Sequence, residues 1–182
     1  MNPLKKNWFL VSIFLFLSCA ENLDFTQIED YRFRPVLTVA LTYFTVQPFH
    51  FFDETGIQQN SRTDITEFDL FQDSFIEENV VKMVFNAEFK NEFDRNASIE
   101  IEFLDDNNSI VYVFAQIFVE SGDVNPPAYE EELILEDNPN IYNANKIRIR
   151  ATLENIGTQM NPFDTKEFEF KSSVTLFIDS EL

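Results

Sequence analysis

Carboxylates are the most abundant side chains in this 182-residue sequence that could do chemistry. There are 32 Asp and Glu residues against 13 Lys and Arg, which gives a formal net charge of −19. Two carboxyl groups about 5–9 Å apart can hydrolyse a glycosidic bond. With so many acids, however, close pairs arise without catalysis, and most of them alternate with apolar residues as on the outer face of a strand. We therefore expect no enzyme activity, with an acid-pair hydrolase as the alternative.

Other reactive side chains are scarce. His50 is the single histidine, Cys19 is the single cysteine and there are three glycines. This inventory provides neither a histidine-based catalytic triad nor a glycine-rich phosphate loop. The turn 105–108 and the corner 136–138 offer oxygen atoms, but neither has the glycine-kinked loop of a dedicated calcium site. We expect no cofactor and no metal site, and the negative charge excludes nucleic acid as a partner.

Three of the cations lie at alternate positions of one segment, Lys146, Arg148 and Arg150. This spacing places them on one face of a strand, where they could bind an anionic ligand. The favoured interpretation is cross-strand ion pairing with acids of a neighbouring strand. The acids considered for this role are Glu167 and Glu169, or Glu130, Glu132 and Glu136.

The candidate partner-binding site is the aromatic segment Phe49, His50, Phe51 and Phe52. Three Phe residues in four positions next to a predicted turn exceed what one alternating face can bury. Aromatic side chains dominate the energetics of protein interfaces, so an exposed group of them predicts a binding surface. The alternative is that these rings pack across the open end of the fold.

The elements that must position these residues are strands, because apolar residues recur with a period of two. The clearest case is 80–93, where apolar odd positions alternate with mostly polar even ones. Similar alternation predicts strands near 33–46, 99–103, 133–135, 146–154 and 166–178. The apolar run 110–119 predicts a central strand that follows a hairpin turn at 105–108. Residues 64–78 are the exception. A short helix with Asp64 and Glu67 at a cap-like start, or a pair of strands broken at Asp73, would both fit this segment, and we expect irregular structure with one or two helical turns.

About seven amphipathic strands and almost no helical pattern predict an all-β fold, a single antiparallel β-sandwich with a Phe-rich core. By strand pattern, the body resembles the fibronectin-like and immunoglobulin-like sandwiches and the desiccation-protein sandwich. The paired cysteines and core tryptophan of true immunoglobulin domains are absent. A closed barrel with a lipid-sized cavity is the alternative.

The N-terminus predicts export. Lys5 and Lys6 precede an apolar run of about ten residues, which is too short for a bilayer-spanning helix of about twenty. The tetrapeptide at 16–19, Phe-Leu-Ser-Cys, resembles the lipobox of bacterial lipoproteins, with Phe16 at the position where Leu is usual. The acidic segment that follows resembles the export tract of Bacteroidota surface lipoproteins. This resemblance implies a diacylglycerol on Cys19 and attachment to the outer membrane, with the domain either periplasmic or exposed at the cell surface.

These observations divide the sequence into a signal peptide at 1–18, an acidic tether at 19–30 and a β-sandwich domain at 31–182. Removal of the signal takes away two lysines, leaving 11 basic and 32 acidic side chains and a formal charge of −21. The predicted function is that of a non-enzymatic, lipid-anchored envelope protein with a structural or accessory role and a protein partner. A glycan- or lipid-binding lipoprotein is the alternative.

Overall fold

The computed structural model describes residues 31–181. The predicted signal peptide, the tether and the lipidation site Cys19 lie outside the described residues. Residues Phe33–Ser180 form one compact unit. The other unit contributes three described residues, Tyr31, Arg32 and Glu181, and there Arg32 Nη2 donates to Glu181 Oε1 at 2.5 Å. None of the helices in residues 31–181 is long and apolar enough to cross a bilayer.

Strands dominate the described chain, and helical structure is confined to short segments. The strands are β1 (Arg32–Phe33), β2 (Val36–Val46), β3 (Ser61–Glu67), β4 (Val80–Asn91), β5 (Ala97–Leu104), β6 (Ile110–Val113), β7 (Ile117–Val119), β8 (Tyr129–Ile134), β9 (Lys146–Leu153), β10 (Phe168–Ile178) and β11 (Ser180–Glu181). One α-helix, α1, spans Ser74–Asn79, and 3₁₀ turns occupy Pro48–Phe51, Leu70–Gln72 and Pro139–Asn143.

Apart from the short pair β1–β11, the strands form two antiparallel sheets that share one apolar core. The first sheet has the order β2-β10-β4-β8, and the second has the order β3-β9-β5-β6, with β7 also pairing with β5. Both sheets have free edges, so the predicted sandwich class is confirmed and the closed barrel is wrong for the described residues. Each inner face is apolar at alternate positions, because successive side chains of a strand point to opposite faces.

Phenylalanine fills the space between the sheets. Phe85 of β4 lies 4.5 Å from Phe114, measured between ring centroids, and Phe114 lies 5.0 Å from Phe103 of β5. The side chains of Phe85 and Phe103 are fully buried. Tilted and edge-on contacts of this kind add to the free energy gained from burial of the rings. The predicted Phe-rich core is therefore present, and side chains occupy the region where a lipid-sized cavity would lie.

One predicted strand is placed differently by the structure. The run 110–119 is divided into β6 and β7, which are both paired only with β5, at the margin of the second sheet. It is therefore not a central strand. The break falls at Phe114–Gln116, where Phe114 turns into the core while Ala115 and Gln116 are exposed. An apolar run on both faces indicated burial, but Ile110, Val113 and Phe118 are exposed at the edge.

Residues 64–78 contain the helical turns that were expected, and their first four residues belong to a strand. Asp64–Glu67 belongs to β3, where the sequence suggested the start of a helix. Helix α1 begins instead after Asp73, whose carboxylate accepts hydrogen bonds from Phe75 N at 2.9 Å and Ile76 N at 3.3 Å. These bonds satisfy two amides that have no partner within the first turn.

Candidate functional site

The aromatic segment that was predicted to bind a partner folds as a 3₁₀ turn, Pro48–Phe51, directly after β2. Proline at the first position suits such a turn because its missing N–H needs no partner there. The His50 ring also holds the turn, since its Nδ1 accepts the Gln47 N–H at 2.9 Å. A neutral His50 therefore carries its proton on Nε2.

The turn buries Phe51, exposes Phe49 and leaves His50 and Phe52 half-buried. Phe51 is 1% exposed and meets Phe93 edge-on at 6.1 Å, so its ring is part of the core and not of any binding surface. Phe52 is half-buried against the same core. Phe49 is 48% exposed, and its ring centroid lies 3.8 Å from that of His50. Of the four residues, only Phe49 is exposed, and His50 is half-buried as Phe52 is.

His50 also lines a small cleft between the margins of the two sheets, which we call the lateral cleft. Its volume is about 160 Å³, and its residues are Phe44, Val46, His50, Arg62, Asp64, Ile149 and Ala151. The apolar members come from β2 and β9, and the charged members come from β3. The cleft therefore has an apolar floor and a polar rim that includes one imidazole, one guanidinium and one carboxylate.

The charged rim follows from the pairing of β3 with β9. Asp64 lies opposite Ile149 and Arg62 opposite Ala151, so both charged side chains share the face that is buried on β9. They remain exposed because β3 is the edge strand of its sheet. Inward-pointing charges on an edge strand discourage pairing with another chain. They also leave two charged groups beside an apolar floor.

The size of the lateral cleft decides what it can hold. Pockets for small organic ligands usually measure about 300–1,000 Å³, whereas an engineered cavity of about 150 Å³ accepts benzene. At about 160 Å³ the lateral cleft matches one ring or one aliphatic side chain.

Phe44 and Val46 at the floor, and Arg62 and Asp64 at the rim, were not identified from the sequence. The strand containing Phe44 and Val46 was predicted, but its position beside β3 depends on pairings between distant segments. Arg62 and Asp64 lie in a stretch whose polar composition is typical of a loop. No local signal marks the inner face of a short polar edge strand.

Two of the three cations at alternate positions of β9 pair with acids of β5. Arg148 Nε contacts Glu102 Oε2 at 2.5 Å, and Arg150 Nη1 contacts Glu100 Oε2 at 3.3 Å. Lys146 Nζ instead donates to Asn108 Oδ1 at 3.1 Å. Cross-strand pairing is confirmed, but the partners named from the sequence are wrong, because β5 and not β8 or β10 lies beside β9.

Glu131 of β8 links the two sheets on the side opposite the lateral cleft. Its carboxylate accepts from Tyr112 Oη at 2.6 Å, from Ala115 N at 3.0 Å and from the hydroxyl of Tyr129. Burial and the bond to Glu131 raise the pKa of Tyr112 to about 12. The same causes, burial first, raise the pKa of Tyr129. This carboxylate is therefore engaged in holding the sheets together.

A second, polar cleft of about 700 Å³ lies beside the β5–β6 turn, and we call it the asparagine cleft. Its lining includes Asp105, Asp106, Asn107, Asn140, Asn143 and Asn145, with the rings of Phe71 and Tyr142. Asn145 Nδ2 donates to Asp106, while Oδ1 of Asn145 is buried and, among the described side chains, has no hydrogen-bond partner. No group of three His, Cys, Asp or Glu side chains in residues 31–181 is placed to bind a metal ion.

Similarity to known proteins is limited to distant structural likeness. No family model and no curated protein matches the chain. A protein from Parabacteroides distasonis described as secreted aligns at 18% identity and a TM-score of 0.48, over 64% of this chain and 37% of that one. The infectious bursal disease virus Gx strain structure aligns at 12% identity and a TM-score of 0.42, over 82% and 32%. A Bacillus endospore appendage structure aligns at 9% identity and a TM-score of 0.35, over 82% of this chain and 92% of that one. The chain thus covers about a third of the length of the first two.

Proposed function

We propose that this protein is a non-enzymatic, lipid-anchored module of a bacterial cell envelope that binds a protein partner. The observation that carries the proposal is the lateral cleft, whose volume of about 160 Å³ fits one apolar side chain. Interfaces concentrate their binding energy in a few side chains that fill pockets of this kind. The exposed Phe49 ring beside it adds apolar area that a partner can cover.

The partner that fits this site presents an apolar or aromatic residue next to a hydrogen-bonding or charged group. The floor receives the apolar side chain, while Arg62 and Asp64 on the rim can each contact a polar neighbour. Within residues 31–181, neither Arg62 nor Asp64 forms an ion pair, so both charges are available at the surface. A charged group left free in this way favours specificity more than affinity.

Site-specific crosslinking in the producing cells tests the proposal. We expect benzoylphenylalanine in place of Phe49 to give one discrete crosslinked protein, which Ala151→Leu removes by filling the cleft. The matched control places the same crosslinker at Phe163, which is 91% exposed in another segment, and should give no such product. Equal products from both positions, or a product that survives Ala151→Leu, would contradict binding at the lateral cleft.

Anchoring is tested separately at Cys19. We expect mass spectrometry of the full chain from cells to show an N-terminal Cys19 that carries diacylglycerol through a thioether. Two acyl chains suffice for stable membrane attachment. The Cys19→Ala variant should move to the soluble fraction of the envelope. Its persistence in the membrane fraction would refute the anchor without affecting the proposal for the cleft.

Glycan binding is the second candidate function, and the asparagine cleft favours it. Amide and carboxylate side chains beside an aromatic ring can bond sugar hydroxyls, and the exposed amides of Asn107, Asn140 and Asn143 line this cleft. A glycan array probed with the full chain tests this function. Specific binding should be lost in Asn143→Ala and kept in the control Asn155→Ala, whose side chain lies outside this cleft. Absence of binding by the unmodified chain would eliminate the candidate.

A further inference from the structure

The edge strand β2 is unusual in this acidic protein because none of its eleven residues is charged. Its first five residues, 36–40, are all exposed, although they alternate between the two faces of the sheet. Leu37 and Val39 lie opposite Leu176 and Val174, which are completely buried, yet they are 41% and 39% exposed. The inner face of this short segment is therefore apolar and only partly covered.

Among the described residues, β10 is the only strand that pairs with β2, so the other backbone edge of this segment has no strand partner there. The N–H of Ile178 donates to the carbonyl of Pro35 at 3.1 Å, which places Pro35 in a hydrogen-bonded pair with β10. Bonding direction alternates along an antiparallel strand. Every second residue therefore points its N–H and C=O groups away from β10, namely Val36, Thr38 and Ala40.

From this we propose that two copies of the chain associate through residues 36–40, pairing β2 with β2 antiparallel about a twofold axis at Thr38. This arrangement joins the two four-stranded sheets into one eight-stranded sheet. Thr38 pairs with Thr38 of the second copy, Val36 with Ala40, and Leu37 with Val39. The inference concerns β2 and stands independently of a partner in the lateral cleft.

Self-complementarity favours a second copy as the occupant. In an antiparallel pair about Thr38, the three residues of each copy whose backbone N–H and C=O groups point away from β10 lie opposite the same three residues of the other copy. The backbone groups of both edges can therefore form hydrogen bonds with each other. The exposed Leu37 and Val39 then cover each other on the inner face, where residues directly opposite lie about 4.5–5.5 Å apart. The extra residue at Leu41, where the register against β10 shifts, marks the end of the regular segment.

Local charge permits this contact despite the net charge of −19. Beside β2, Arg34 pairs with Asp179 at 3.1 Å and Lys171 pairs with Glu169 at 2.6 Å, so these two acids are each balanced by a cation. The remaining repulsion between two acidic domains acts over longer distances and is screened beyond about 8 Å at physiological salt. The contact is small, so the dimer is weak and its population rises with protein and salt concentration.

A symmetric cysteine crosslink tests the pairing. In a hydrogen-bonded antiparallel pair, opposite Cα atoms are about 5.5 Å apart, within the range that a disulfide bridges. We expect the full chain with Cys19→Ala and Thr38→Cys, purified in detergent, to form a disulfide-linked dimer on oxidation. The matched control Cys19→Ala, Thr45→Cys changes the same residue type on the same strand outside the segment and should stay monomeric. Equal crosslinking of both, or none in Thr38→Cys, would overturn the proposal.

Sedimentation equilibrium supplies a second, independent readout. The unmodified chain should self-associate, and Thr38→Lys should weaken this by about tenfold or more, since it places two like charges at the axis. Thr45→Lys adds the same charge and should behave as the unmodified chain. Circular dichroism and the unfolding midpoint check that each variant is folded. A chain that is monomeric at every concentration, or a Thr38→Lys variant that associates normally, would refute the twofold pairing.

Discussion

The two margins of the first sheet are built in opposite ways. Strand β8 has three acids among its six residues, and its Glu131 accepts hydrogen bonds from the second sheet. Strand β2 has no charge in eleven residues, and the lateral cleft separates its C-terminal half from β3. One margin is closed by polar contacts between the sheets, and the other exposes apolar residues and free backbone groups. Exposed apolar strand edges invite pairing and binding, so the open margin is where we place both proposed interactions.

The largest contrast between the margins should appear in phenylalanine truncations. Phe114 at the closed margin is 3% exposed, and its ring contacts those of Phe85, Phe103 and Tyr112. Phe44 at the open margin is half-buried, and its ring stacks on that of Phe170 with 5.0 Å between the centroids. We expect Phe114→Ala to reduce the free energy of unfolding by about 3–5 kcal/mol. For Phe44→Ala we expect about 1–2 kcal/mol, because less apolar area is lost. Urea unfolding measures both, and equal losses would mean that the margins do not differ in packing.

The next largest effect concerns the hydrogen bonds by which Glu131 of β8 links the two sheets. Glu131→Ala removes the acceptor of two tyrosine hydroxyls and one amide, and we expect it to reduce the free energy of unfolding by about 2–3 kcal/mol. The control Glu130→Ala alters the neighbouring exposed acid of β8 and should change that free energy by less than about 0.5 kcal/mol. Chemical denaturation at neutral pH compares the two. A loss for Glu131→Ala no larger than that of the control would show that the Glu131 hydrogen bonds contribute little to the free energy of unfolding.

Alkaline pH should open the closed margin by a smaller amount. The pKa of Tyr112 is raised from 10.0 to about 12 in the folded chain, so the folded state holds this proton more tightly than the unfolded state. Its contribution to stability is complete below pH 10 and is lost as the pH rises from about 10 to about 12. Unfolding midpoints across this range, with tyrosinate absorbance, measure the loss. Tyr112→Phe should flatten part of the decline, and an unchanged profile in that variant would contradict the assignment.

The smallest effect is expected at the rim of the open margin. Asp64 is exposed, although its side chain lies on the inner face of β3. Asp64→Val should therefore change the free energy of unfolding by less than about 0.5 kcal/mol. It should nevertheless increase association between chains, because it removes an inward-pointing charge from an edge strand. Light scattering at increasing protein concentration measures this association. A large loss of stability without added association would contradict the claim that Asp64 limits association and adds little to stability.

Much of the fold could be predicted because strand periodicity is a local property. The alternation in 80–93, 99–103 and 146–154 corresponds to β4, β5 and β9 with boundaries that differ by one or two residues. The hairpin turn at 105–108 is also present, closed by Asn108 N donating to Asp105 O at 3.0 Å. The run 110–119 was misplaced, because apolar residues on both faces occur in a buried central strand and in the exposed edge strands observed here.

The candidate site was only partly predictable. The unusual density of Phe between 49 and 52 indicated a special segment, but sequence could not show that a 3₁₀ turn would send Phe51 into the core and leave Phe49 outside. The orientation of each ring depends on where the turn meets Phe93, more than forty residues away. Arg62 and Asp64 reach the same cleft only through the pairing of β3 with β9.

The sequence by itself determined most of the strands, the solvent-facing acids and the phenylalanine core, because a period of two assigns each residue to a face without reference to the rest of the chain. It also determined the −19 charge that any partner must accommodate. Only the tertiary structure decided which strands lie at the edges and which edge stays open. That choice depends on pairings between segments far apart in sequence, and it gives β2 its free backbone and His50 its cleft.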